Sequence, residues 1–123
     1  MSDAAKIYEL YVENAHAQNE QPKMKVNKYG VKEWRLHGKL HRKDGPAVEW
    51  MNGNKNWFLH NKLHREDGPA IEYDGGEEWW LNGVQYKNVA AWAEAVLKMR
   101  NEPHDEDAVQ QFVRMILTKD DLI

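Results

Sequence analysis

From Tyr29 to Tyr86 apolar and polar residues alternate in short runs broken by turn dipeptides, and beyond Asn88 the apolar spacing becomes helical. Ala47-Val48-Glu49-Trp50 and Ala70-Ile71-Glu72-Tyr73 alternate in side-chain character, as half-buried strands do. Asn52-Gly53 and Asp74-Gly75 follow at once and supply the positive φ angles of tight hairpins. The next strands are Asn56-Trp57-Phe58-Leu59 and Glu78-Trp79-Trp80-Leu81. Further turns come at His37-Gly38, His60-Asn61 and Asn82-Gly83. After each Leu-His-Arg an Asp-Gly-Pro step forces a non-helical bend, because proline fixes φ and has no N–H. The pattern predicts an antiparallel meander of small hairpins.

The strands recur because the sequence does. Trp34, Leu36, His37, Lys39-Leu40-His41-Arg42 and Asp44-Gly45-Pro46-Ala47 all reappear 23 residues later, from Trp57 to Ala70. A third, partial copy has lost one residue, so Trp57 and Trp79 are 22 apart. Tyr86 then stands where His41 and His64 stood, and no Asp-Gly-Pro-Ala follows. Units of this kind bury their faces only by stacking on their neighbours. Trp34, Trp57 and Trp79 are expected in one column, Trp50 and Tyr73 in another.

The aromatic, the Asn/Asp-Gly turn, the Trp and the Gly/Asn-Lys-x-His step resemble the MORN-type repeat. The Lys-Leu-His-Arg-x-Asp-Gly-Pro-Ala form resembles a variant of small phage and bacterial proteins, over residues 27 to 86. The resemblance implies a single-layer sheet of successive hairpins that serves as a protein- or membrane-binding scaffold, in some variants as an antitoxin component. Arg-x-Asp-Gly-Pro-Ala stands here where the commoner form has a Gly-x-Gly step.

The flanks read as helices. Ser2 or Asp3 can cap a segment over residues 3 to 17, with Ile7, Leu10 and Tyr11 at helical spacing. Residues 18 to 28 are polar, contain Pro22, and read as a linker. Two further helices fill residues 88 to 117, the first capped by Asn88, with Val89, Trp92, Val96 and Met99 on one stripe. In the second, Asp105, Glu106 and Asp107 crowd the first turn, and Val109, Phe112, Val113, Ile116 and Leu117 form its apolar face. A sheet of about two and a half units exposes its edges and its aromatics. Helices laid over one face would bury the aromatics. The fold class expected is α+β in a single domain, residues 1 to 123: a helix, an antiparallel meander over 27 to 86, then two helices.

Composition narrows the function. No apolar run approaches a transmembrane helix, and the N-terminus lacks the basic and apolar regions of a signal peptide, so a cytoplasmic protein is expected. With no cysteine there is neither disulfide nor thiolate metal site. Residues 30 to 73 hold eight Lys/Arg against six Asp/Glu, and residues 74 to 123 hold five against ten. Neither balance marks a nucleic-acid groove, although the segregation favours electrostatics at an interface.

Candidate chemistry is thin. His37, His41 and Asp44 recur as His60, His64 and Asp67, and stacking could bring His41 beside His64 as half of a zinc site. Yet histidines four apart pair as ligands on a helix, and here a turn intervenes. Recurrence from one unit to the next favours a structural duty for each His and Asp. The only serine is Ser2 and the only threonine Thr118, and Gly75-Gly76 leads to acid rather than to a helix. No catalytic residue, metal or cofactor is assigned, and the chain is not expected to be an enzyme; a His/Asp metal-dependent enzyme is the rival of a different class.

The aromatics point to binding instead. Five of six tryptophans lie from Trp34 to Trp80, among Arg, Lys and His, and Trp, Tyr and Arg are the usual interface anchors. Trp79 and Trp80 are adjacent and face opposite sides of a strand. Arg35, Phe58 and Trp80, with Arg42 and Arg65, are the expected partner-binding residues. The function expected is a non-enzymatic protein-binding module, in its most concrete form a phage-encoded inhibitor of a host defence or metabolic protein, with an antitoxin or immunity protein as the alternative. A protein partner is expected rather than nucleic acid or membrane, and a homodimer is compatible.

Overall fold

The computed structural model describes residues 20–119; the helix expected over residues 3 to 17 lies outside them. The fold is α+β. Ten strands are β1 (Lys23–Val26), β2 (Lys32–Leu36), β3 (Lys39–Leu40), β4 (Val48–Glu49), β5 (Lys55–Asn56), β6 (Phe58–Leu59), β7 (Lys62–Leu63), β8 (Ile71–Tyr73), β9 (Gly76–Leu81) and β10 (Val84–Tyr86). Two helices follow, α1 (Val89–Met99) and α2 (Glu106–Thr118). The main sheet runs β1-β2-β4-β5-β8-β9-β10, every pairing antiparallel, with β3 on β2 and β6-β7 as a separate hairpin.

Turn chemistry sets this register. His37-Gly38, His60-Asn61 and Asn82-Gly83 each hold two successive residues at positive φ, between 49° and 80°. That is the I′ geometry whose twist matches the flanking strands. Asn61 stands where the other turns have glycine, and it contributes more than a turn. Its N–H donates to Leu40 O at 2.9 Å and its Oδ1 accepts from Leu40 N at 2.7 Å. The second unit is thereby fastened to the first.

The polar stretch before residue 27 is not all linker. Lys23-Met24-Lys25-Val26 pairs with β2 from Lys23↔Arg35 to Val26↔Lys32 and, among the described residues, forms one edge of the sheet. Its alternation is the strand signal, and β2 supplies the pairing that so short a run needs. The strand expected over residues 56 to 59 is broken at Trp57, whose N–H donates to Ala70 O at 2.7 Å between β5 and β6.

The helices do not cover the whole face. Trp79 and Leu81 join Trp92, Ala93, Val96, Leu97, Phe112 and Ile116 in one core. Trp92 lies against Trp79 at 4.7 Å between ring centroids and stacks on Phe112 at 5.8 Å. An eleven-residue helix such as α1 is about 16 Å long. Seven strands side by side extend about 30 Å. Among the described residues the helices therefore cap the third unit and reach only the Arg65–Asp67 loop of the second. Asn88 Oδ1 accepts from Ala91 N at 2.8 Å and Asp105 Oδ1 from Ala108 N at 2.9 Å, so both helices are capped by side chains. Met99 and Leu117, expected on the buried stripes, are about half exposed at 44% and 54%.

Candidate interaction surface

In the first two units arginine does what the helices do in the third. Arg42 lays its guanidinium over the Trp34 ring at 4.0 Å, and Arg65 over Trp57 at 3.9 Å. Each then donates Nη1 to a proline carbonyl, Pro46 or Pro69, at 3.1 Å, and Nε to Asp44 or Asp67. Gly45 and Gly68 lie directly beneath. A Cβ on either would stand 2.6 Å from the guanidinium carbon. The Arg-x-Asp-Gly-Pro element is thus a clasp: Asp and Pro orient the guanidinium, Gly makes room, and Trp receives it. Glu49 and Glu72 complete the ion pairs at 3.7 and 3.2 Å.

Burial alone would raise the Asp67 carboxyl. The Arg65 hydrogen bond and charge, with Lys119 and its own backbone, hold it below the ordinary carboxylate value. The helices also grip this loop. Trp92 Nε1 donates to Arg65 O at 3.0 Å, and Arg100 Nη2 donates to Glu66 O at 3.2 Å.

The histidines join units. His41 and His64 are buried, at 4% and 6% exposure. His41 Nδ1 accepts from His60 N at 3.1 Å, and His64 Nδ1 from Asn82 N at 2.9 Å. His64 Nε2 meets Glu66 Oε2 at 3.0 Å, so both of its ring nitrogens are engaged within the chain. Burial, then the charges of His60 and Lys43, lower the proton affinity of His41. Among the described residues no group of three or more His, Asp or Glu is arranged for a metal ion.

Register and alternation assign the faces. Glu33 opposes Val48, Val48 opposes Asn56, Asn56 opposes Ile71, and Ile71 opposes Glu78. Two positions along the same strands or their extensions lie Arg35, Trp50, Phe58, Tyr73 and Trp80, on the side away from Trp79 and the helices. Of the expected anchors, Arg35, Phe58 and Trp80 therefore share the open side. Arg42 and Arg65 lie on the other, committed to Trp34 and Trp57, and are not free anchors. Trp80 is half-buried and donates Nε1 to Glu78 Oε1 at 3.0 Å. Arg35 is 45% exposed and bonded to Glu33 and to Gly38 O.

Trp50 and Tyr73, 47% and 44% exposed, extend this surface and were not among the expected anchors. Their recurrence at equivalent places was the available signal. No family model matches the chain, nor does any curated protein or solved structure. Among the described residues no helix is long and apolar enough to cross a membrane.

Proposed function

We propose that the chain is a non-enzymatic protein-binding module that engages its partner through the open side of the sheet. The observation that carries this reading is the set of aromatics opposite the helix-covered face, Phe58 and Trp80 toward one end of the strands and the exposed Trp50 and Tyr73 toward the other. Large aromatics gathered on one side of a sheet by a repeat are what an anchor surface requires. Arg35 lies level with Phe58 and Trp80, in the first unit. The MORN-like character of the units agrees with a scaffold role, and a phage-encoded inhibitor is the concrete form the sequence suggested.

The test is affinity capture from host lysate with wild-type and Trp80→Ala baits, read by mass spectrometry. A protein retained by the first and lost by the second supports the reading. Identical recoveries from both baits overturn it.

A further inference from the structure

The positive charge of this chain is concentrated in one place. Residues 23 to 43 contain Lys23, Lys25, Lys28, Lys32, Arg35, Lys39, Arg42 and Lys43, against Glu33 alone. That is eight minus one, or +7, in a chain whose net charge is −3. Arg42 is used by the Trp34 clasp and Arg35 pairs with Glu33. None of the six lysines forms an ion pair with another described residue.

The same region ends the sheet. Among the described residues β1 is an edge strand, and all four of its side chains are exposed. Trp34 turns both backbone groups away from β1: its N–H donates to Ala47 O at 2.8 Å, and its C=O accepts from His41 N at 3.0 Å. Its partner Met24 is therefore in a non-hydrogen-bonded pair. Met24 and Val26 point their N–H and C=O groups off the edge, where another strand can take them.

A groove of about 560 Å³ lies over the face of the β1–β2 pair, where the register sets Lys23 beside Arg35 and Lys25 beside Glu33, and His37 and Glu20 also line it. We propose that β1 receives an extended, acidic segment of a partner protein, added as a further antiparallel or parallel strand, with its carboxylates on Lys23 and Lys25. Main-chain bonds from Met24 and Val26 supply affinity, and the lysines supply the choice of charge.

Lysines on an edge strand also deter edge-to-edge pairing between copies. That role accounts for Lys23 and Lys25 as well. A basic edge repels its own kind and selects an acidic strand, so the two roles are compatible. Nucleic acid fits less well. The groove offers no Trp, Tyr or Phe ring for base stacking and sets two carboxylates among its cations. The proposal goes beyond the aromatic surface and shares no residue with it.

The experiment is fluorescence anisotropy on the full chain, with a labelled synthetic peptide alternating Asp and Val. A Lys/Val peptide and a single-stranded oligo-dT serve as counter-probes. The Asp/Val peptide should bind at least about tenfold more tightly than either, and lose affinity with salt. Lys23→Glu with Lys25→Glu should weaken it about tenfold. Met24→Pro should weaken it about fivefold while circular dichroism and melting stay as in wild type, since the Met24 N–H makes no ladder bond. Should Met24→Pro disturb the fold, an Asp/Val peptide N-methylated at alternate amides tests the same bonds and should bind as weakly. Trp80→Ala should leave peptide binding unchanged, which separates this result from that of the aromatic surface.

Equal affinity for both peptide charges overturns the proposal. So does binding indifferent to Met24→Pro and to N-methylation, because charge alone would then suffice. Oligo-dT bound as tightly as the acidic peptide would assign the edge to nucleic acid. Self-association of the chain abolished by the lysine reversals would assign it to a second copy.

Discussion

The Nδ1 atom of His64 accepts the backbone N–H of Asn82 at 2.9 Å, across the boundary between the second and third units. His41 accepts from His60 in the same way at the preceding boundary, at 3.1 Å. A ring nitrogen accepts only without a proton, so each imidazole carries its proton on Nε2. For His64 that proton is directed at Glu66. The third unit has no successor whose N–H must be met, and Tyr86 replaces histidine there.

Removing the acceptor should therefore loosen one unit from the next. In His64→Leu the Asn82 N–H loses its partner beside a buried side chain, at a cost of about 1–3 kcal/mol. Urea unfolding followed by Trp fluorescence measures it. A loss within experimental scatter of zero would mean that water replaces the imidazole.

Much of this architecture is legible in the chain itself. The positions of Trp34, Trp57 and Trp79 fix the unit length, and the His-Gly, His-Asn and Asn-Gly pairs mark turns that the φ angles bear out. Asn88 as a helix cap is a local matter of side chain and N–H, and such features read well. The clasp does not read from sequence. Arg42 and Arg65 look like free interface cations until the Gly-Pro bend folds them onto tryptophans that precede them by eight residues. The strand at residues 23 to 26 is equally hidden, because its existence depends on pairing with β2. The basic cluster is hidden too, because the near-even balance over residues 30 to 73 leaves out Lys23, Lys25 and Lys28.

Stability should fall with acid in two windows. The folded state lowers the proton affinity of His41, through burial first and then His60 and Lys43. The unfolded chain takes up that proton near about pH 6.5. The stabilisation is full above that value and is lost as pH falls through the lower folded-state value. Asp67 is also held low, Arg65 and Lys119 outweighing its burial. Its contribution is full above about pH 3.9 and is lost further down. Melting curves from neutral to acid pH should show both declines. His41→Gln keeps an acceptor without a titrating group, and should flatten the upper window only.

The clasp should be measurable as a coupling. Arg65 is the better buried of the two arginines, 11% exposed against 23% for Arg42. Arg65→Lys loses the planar fork and its stack on Trp57, and should cost about 1–2 kcal/mol, more than Arg42→Lys. Gly68→Ala sets a Cβ into the same guanidinium. The double change should be less harmful than the sum of the two, since lysine leaves room for the methyl group. Strict additivity would show that Gly68 serves the backbone and not Arg65.

Trp79 and Trp80 separate folding from binding. Trp79 is 6% exposed and lies 4.7 Å from Trp92, in the core that holds both helices to the sheet. Trp79→Ala should cost about 3–5 kcal/mol, as truncation of a buried aromatic does, and should weaken the docking of both helices. Trp80 is the next residue, turned to the open side, with its indole N–H on Glu78. Trp80→Ala leaves that carboxylate to Gln85, which already donates to it at 3.3 Å. It should cost about 1 kcal/mol of stability yet about 2 kcal/mol or more of partner affinity. Urea unfolding and calorimetry on the captured partner give the two numbers. Equal destabilisation by the two changes, with affinity untouched, would mean that the open side is a second packed face and that the partner binds elsewhere.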